Sequence, residues 1–417
     1  MILRGTSLIP GRAQGRLLAG VHENLLQGIL LIGHQELPAL LAHRGPLPAG
    51  IIVRDAARFA HALIRLFSLG IPTVLVSSEQ AEAFVPGQWV ALDGDQGLLA
   101  DEPIPPPAQA MAQQVDLQTA DGQPIELMAS VGDARGAEAA VRLGARSIGL
   151  VRSEYLHPEP PVAPDRFFYI NALQDLLEAS RPLDVTVRLF DYGPDKHVPW
   201  WPEAPIAPLG QQGVRLYAIE PISEVLEAEL AALDELCRDR PLSLLVPYLT
   251  HPWEFEGIRE RLQRWPRLRN MPLGAMVETP AAAFALPEWK AMADFVAIGC
   301  NDLMQAFDAA DRNRPELSAY LDPYAPAWLR FLARLAREGL ELELPMRVCG
   351  QLPALPGLFP LLIGMGLRSF SVEPAQIPHL ASVARLTSST EAGDLLVQAC
   401  RASSSMEVRG LLGLART

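Results

Sequence analysis

Arg152, Arg188 with Asp191, Glu278, Asn301 with Asp302, and Cys349 each stand at or just past the end of a short apolar run, and Arg312 follows a little beyond Asp302. Loop residues drawn at random would be mostly Gly, Pro, Ser and Asn, whereas these positions gather arginines, carboxylates and one thiol. The arginine fork binds phosphate or carboxylate through two parallel hydrogen bonds and stays charged at any physiological pH. Mg²⁺ takes oxygen ligands in octahedral geometry, commonly one or two carboxylates completed by substrate oxygens and water. Glu278 and Asp302 follow consecutive runs, so their carboxylates are placed to converge on one ion. The set suits a dianionic substrate and a hard divalent cation. With a net charge of −13, the chain has no sequence-independent grip on nucleic acid or anionic membrane, and an anion must be drawn in by local arginines. Lysine is nearly absent, at Lys196 and Lys290 only.

The runs behind these residues have a rhythm. Leu127–Val131, Ser147–Val151, Val185–Phe190, Ser243–Pro247, Leu273–Val277, Phe295–Gly299, Met346–Cys349 and Phe370–Glu373 read as buried strands. Between most of them lie stretches of helical period, at Glu138–Leu143, Ile222–Cys237, Trp253–Trp265, Pro280–Met292, Ala327–Arg337 and His379–Thr387. Eight strands alternating with helices predict parallel βα units closing into a TIM barrel, with reactive side chains at the C-terminal strand ends. A doubly wound open sheet is disfavoured, because no Gly-rich dinucleotide turn follows the first strand.

The barrel is expected over 120–417. Asp101-Glu-Pro-Ile-Pro-Pro-Pro and the Ala/Gln-rich residues after it read as a linker over 104–119, and 1–103 as a small α/β domain. There, Gly50–Val53 and Pro72–Val76 read as strands flanking a helix over Asp55–Ser68, and Gln88–Leu99 as a hairpin turning at Asp93-Gly94. Cys237, Cys300, Cys349 and Cys400 are scattered, which suggests a reducing compartment. No apolar leader segment opens the sequence and no run is long enough to span a bilayer, so the protein is expected to be soluble and cytoplasmic.

Gly149-Leu-Val-Arg-Ser-Glu-Tyr-Leu, Val187-Arg-Leu-Phe-Asp-Tyr-Gly-Pro-Asp-Lys196, Met276-Val-Glu-Thr-Pro-Ala-Ala, Ile298-Gly-Cys-Asn-Asp-Leu-Met-Gln, Asp311-Arg312 and Val348-Cys-Gly-Gln-Leu resemble, in order, the phosphoenolpyruvate-utilising enzyme family. The pattern is most similar to that of enzyme I of the sugar phosphotransferase system. The resemblance implies Mg²⁺ at Glu278 and Asp302, and phosphate contacts from Arg152, Arg188 and Arg312, with Arg215 as a further arginine. It also implies Asn301 on the substrate and Cys349 as the acid that protonates enolpyruvate. Phosphoenolpyruvate and pyruvate would be the small-molecule partners, a protein or small molecule the onward phosphoryl acceptor, and a homodimer the assembly.

Ala56-Ala-Arg-Phe-Ala-His61 in the small domain resembles the segment of the swivelling phosphohistidine domain whose family pattern is Gly-Gly-x-Thr-Ser-His. The histidine is kept, while both glycines, the threonine and the serine are replaced. Glycines let backbone N–H groups approach a phosphoryl group and the hydroxyls donate to it, so these changes bear on transfer to His61. The 21–50 stretch is also too short for the family's helical carrier-binding insertion. Three functions are therefore weighed: phosphoryl transfer from phosphoenolpyruvate to His61, a regulatory module that binds phosphoenolpyruvate or pyruvate with His61 inert, and a barrel lyase or hydrolase acting on a related 2-oxoacid.

Overall fold

The computed structural model describes the chain apart from residues 1, 10, 22–24, 44, 56–62, 64–65, 67–68, 70, 95–96, 104–116, 157, 159–161, 194–197, 199, 202–209 and 415–417. The chain divides into two compact units, one of residues 1–112 with 310–321 and one of 113–309 with 322–417.

The first unit is built on one eight-stranded sheet. Its strands are β1 (Ile2–Arg4), β2 (Thr6–Ile9), β3 (Arg12–Ala19), β4 (Ile29–Gly33), β5 (Gly50–Arg54), β6 (Thr73–Val76), β7 (Trp89–Asp93) and β8 (Leu98–Ala100), in the order β1-β8-β7-β3-β4-β5-β6-β2. The four central strands β3 to β6 run parallel, and antiparallel pairs flank them. Alternation explains how both faces are buried: Ile51 and Val53 of β5 join one apolar cluster, while Ile52 joins the other. The β7–β8 hairpin forms, but its connection is residues 94–97, because Asp93 pairs with Leu98 inside the ladder. The expected 55–68 helix falls mostly outside the described residues. Of its described residues, Asp55 turns its carboxylate to the Ser78 N–H at 2.8 Å, and Leu63 and Leu66 are buried.

The second unit is a closed barrel of eight parallel strands: β9 (Glu126–Val131), β10 (Ile148–Arg152), β11 (Val185–Arg188), β12 (Ser243–Leu249), β13 (Leu273–Val277), β14 (Phe295–Gly299), β15 (Met346–Cys349) and β16 (Ser369–Val372). β16 pairs with β9 to close the ring. All eight expected strands are present, and the six expected helical stretches all form. Pro280–Met292 is divided into Pro280–Phe284 and Leu286–Met292, where Pro287 restarts the helix after Ala285. Leu150, Leu245, Met276, Phe295, Ala297 and Cys349, from five of the strands, form one buried cluster. Helices at Arg166–Ala179, Cys300–Asp308, Leu358–Gly364, Ser389–Arg401 and Ser405–Leu411 were not anticipated. Arg166–Ala179 carries apolar side chains all round, which blurs its period. Residues 117–119, inside the expected linker, pair back on 123–125 and hold Leu117 buried. Among the described residues, no helix is long and apolar enough to cross a membrane.

Candidate active site at the C-terminal strand ends

The chain leaves β13 at Val277, places Glu278 next, and starts a helix at once. Thr279 caps that helix by accepting the Ala282 N–H at 3.1 Å, Pro280 supplies its first turn, and the Thr279 hydroxyl donates to the Leu249 carbonyl. Glu278 is thereby fixed at the strand end and buried. Its Oε2 accepts the backbone N–H of Tyr248 at 2.8 Å, and Oε1 lies 3.7 Å from Arg188 Nη1. Tyr248 reaches this carboxylate from a left-handed backbone, φ 53°, at an irregularity in β12. The next strand makes room: a Cβ on Gly299 would stand 2.4 Å from Glu278 Cγ. Directly after Gly299, the helix Cys300–Asp308 carries Asn301 and Asp302, both buried, in its first turn.

Burial, then the Asp302 and Asp191 carboxylates, push the Glu278 carboxyl well above the usual range, outweighing Arg188. Glu278, buried and repelled by the Asp302 and Asp191 carboxylates, stands where a hard divalent cation would relieve the charge. The residues therefore fit Mg²⁺ through Glu278 and Asp302. Among the described residues, no group of three or more His, Cys, Asp or Glu is arranged to hold a metal unaided. Substrate oxygens and water would have to complete the shell.

Two of the acids that hold the arginines, Glu154 and Glu373, are not among the candidates read from the sequence. Arg188 pairs with Glu154, with Asp191 at 3.3 Å and with Glu278, and Ser153 Oγ donates to the Arg188 carbonyl at 3.0 Å. Arg152 Nη1 meets Glu373 Oε1 at 2.7 Å. Their acids hold both guanidinium pKa values up although burial opposes this. Glu154 sits two residues after Arg152 in the quoted Gly149–Leu156 motif, and Glu373 ends the eighth strand run. Their signal was charge complementarity between strand ends, adjacent for Glu154 and Arg188 and one strand apart for Arg152 and Glu373, which no local pattern shows. Asn301 Oδ1 accepts the Gln351 N–H at 3.4 Å, beside Gly350, whose φ of 99° turns the chain immediately after Cys349. Cys349 is buried and its thiol is pushed up to about 11, mainly by burial, so it holds its proton at neutral pH. Cys300 packs beside it as a buried thiol.

Arg152, Arg188, Glu278, Asn301, Asp302 and Cys349 are thus all placed at strand ends of one barrel face. Arg215 lies in the 3₁₀ turn Gly213–Leu216, donates to Thr250 Oγ1 at 2.5 Å, and lies over the Tyr248 ring with its carbon 5.2 Å from the centroid. Tyr248 links it to the Glu278 surroundings. Arg312 is buried within 310–321, and is described with the first unit rather than with the barrel. His61 and Lys196 lie outside the described residues.

A closed parallel barrel with arginines, carboxylates and a protonated thiol at its C-terminal strand ends has the make-up of an enzyme-type anion site. Residues 107–388 match the family model described as PEP-utilising enzyme, PEP-binding domain. The chain is 32% identical over 384 residues to a phosphoenolpyruvate-protein phosphotransferase of Cupriavidus necator, an alignment covering 84% of this chain and 65% of that protein. It is 30% identical over 414 residues to a phosphoenolpyruvate-protein phosphotransferase of Haloferax volcanii, covering 94% and 73% respectively. Against multiphosphoryl transfer protein 1 of Escherichia coli it is 28% identical over 391 residues, 87% of this chain and 47% of that one. The chain belongs to the PEP-utilising enzymes. It spans about two thirds of the first of these relatives and about half of the third.

Proposed function

We propose that this chain transfers the phosphoryl group of phosphoenolpyruvate to His61 in a Mg²⁺-dependent reaction that releases pyruvate. The observation that carries this reading is the meeting of two arginines, two metal-competent carboxylates and a protonated thiol at the strand ends of a barrel in this family. Arg152 and Arg188, already oriented by Glu373 and Glu154, offer guanidinium edges to the substrate phosphate, with Arg215 and Arg312 as further cations. Mg²⁺ bound at Glu278 and Asp302 would offset the negative charge of the substrate oxygens. Asn301 orients the substrate beside Gly350.

In transfer, a neutral imidazole nitrogen of His61 bonds to phosphorus as the bond from phosphorus to the enol oxygen breaks, and that oxygen keeps the electron pair. The Cys349 thiol then gives its proton to the methylene carbon, yielding pyruvate, and the thiolate recovers a proton from water. A thiol raised to about 11 suits the donor role, since a thiolate would have no proton to give. The replaced residues at 56, 57, 59 and 60 favour, as a second reading, a module that binds phosphoenolpyruvate without phosphorylating His61.

Radiolabelled phosphoenolpyruvate with Mg²⁺ separates the readings. An acid-labile protein label that disappears in His61→Ala supports transfer. Pyruvate release without label points to lyase or hydrolase chemistry, and binding without turnover to the regulatory module. The onward acceptor, a homodimeric assembly and a cytoplasmic location belong to the same proposal, on family resemblance.

A further inference from the structure

Beside the chain that leaves β11 after Arg188, a buried carboxyl takes no part in the chemistry above. Glu229 lies in the helix Ile222–Leu236 and is fully buried. Its Oε2 accepts the backbone N–H of Phe190 at 3.2 Å, and the Tyr217 hydroxyl donates to the Phe190 carbonyl at 2.7 Å. Both backbone groups of Phe190 are therefore held by side chains as the chain leaves β11 between Arg188 and Asp191. Oε1 of Glu229 has no hydrogen bond of ordinary geometry among the described residues, and the Ser153 hydroxyl lies beside the carboxyl.

A count of protons decides the state of this carboxyl. Serine has one hydroxyl proton, and that of Ser153 is committed to the Arg188 carbonyl, which can only accept. A hydroxyl proton committed there is not free for Glu229, so an ionised Oε1 would have to draw it off the Arg188 carbonyl. An ionised Glu229 would leave one charged oxygen buried and in competition for that proton, whereas the acid form can donate to Ser153 and leave the Arg188 carbonyl its bond. We infer that Glu229 is a positioning residue, working as a neutral carboxylic acid that anchors Arg188 through Ser153 and Phe190 and so sets the phosphate-binding guanidinium.

The surroundings agree. The groups facing Glu229 are the Glu154 carboxylate and the phenols of Tyr169, Tyr192 and Tyr217, the three phenols raised by burial, and among the described residues no cation is one of them. Burial, its largest cause, pushes the Glu229 carboxyl up to about 8, against the Ser153 hydroxyl and the Phe190 N–H, whose bonds to the charged form would lower it. Glutamine can make the same two bonds, with its carbonyl toward the Phe190 N–H and its amide N–H toward Ser153. Leucine can make neither.

The inference rests on the proposed function only for the role of Arg188, and two measurements keep the two apart. The first is an infrared difference spectrum of wild type minus Glu229→Gln at neutral pH. A carboxylic-acid C=O band that gives way to carboxylate absorption on raising the pH is expected, and its absence overturns the inference whether or not the protein binds phosphoenolpyruvate. The second is calorimetric binding of phosphoenolpyruvate with Mg²⁺ across pH. Glu229→Leu should weaken binding about tenfold. Glu229→Gln should restore it and remove the alkaline loss of affinity that wild type shows as Glu229 ionises. Equal weakening by glutamine and leucine, or an unchanged alkaline limb in Glu229→Gln, overturns the positioning role. A wild-type protein that binds no phosphoenolpyruvate overturns the proposed function and the positioning role with it, while the infrared band still decides the proton.

Discussion

Gly299→Ala adds one methyl group in the path of the Glu278 carboxylate. The new Cβ would stand 2.4 Å from Glu278 Cγ, 2.5 Å from Oε1 and 2.9 Å from Cδ. Ordinary carbon contacts lie at about 3.5–4.0 Å, so the carboxylate must retreat by about 1 Å. Gly299 itself has φ −84°, which alanine tolerates, so the perturbation is steric rather than a backbone strain. Overpacking of this kind costs about 1–3 kcal/mol, and the lower entropy of an unfolded alanine returns about 0.4–1 kcal/mol. A net loss of about 1–2 kcal/mol is expected. A catalytic group misplaced by about 1 Å loses on the order of 100-fold in rate. Pyruvate formation, coupled to lactate dehydrogenase at varied Mg²⁺, measures the second effect, and urea denaturation measures the first. Gly257→Ala is the control: no atom lies within 4 Å of its Cβ position inside the helix Pro252–Leu262, so the same change should stabilise by about 1 kcal/mol. Gly299→Ala turning over within about threefold of wild type, less than 1 kcal/mol of barrier, would show that Glu278 does not hold the reacting centre.

Glu278→Gln and Asp302→Asn should each abolish Mg²⁺-dependent turnover while circular dichroism shows the fold intact. Because the Glu278 carboxyl is raised, the folded chain binds more protons than the unfolded one above the ordinary carboxylate range, so this residue makes stability fall with rising pH. Urea midpoints at about pH 5 and about pH 8 should therefore differ less in Glu278→Gln than in wild type without Mg²⁺. Arg152→Lys keeps the charge but loses the fork that Glu373 orients, so calorimetry should show weaker phosphoenolpyruvate binding. Cys349→Ala should bind normally and form pyruvate more slowly in stopped-flow assays. Ala56→Gly, Ala57→Gly, Phe59→Thr and Ala60→Ser together should raise the rate of His61 labelling by about tenfold or more, from recovered charge-assisted hydrogen bonds of about 1.5–3 kcal/mol each. A restored loop that stays unlabelled while phosphoenolpyruvate still binds would favour the regulatory reading.

The barrel was legible in the sequence because buried strands leave a local mark: eight apolar runs of four to six residues, punctuated by helices, match the eight strands of the closed ring. The strand ends were legible for the same reason, since a strand that stops at Val277 must place Glu278 outside it. Periodicity could not show which acids hold the arginines. Glu154 and Arg188 are 34 residues apart, and Arg152 and Glu373 are 221 apart. Only closure of β16 onto β9 and the parallel register of β10 with β11 bring them together. The state of each ionisable group was likewise beyond the sequence. The proton on Cys349, the raised carboxyls of Glu278 and Glu229 and the commitment of the Ser153 hydroxyl all follow from burial and from the donors and acceptors that packing sets around them. Sequence determined which chemical groups stand at the strand ends. The tertiary structure decided their partners and protons, because desolvation and hydrogen-bond geometry exist only once distant segments have packed.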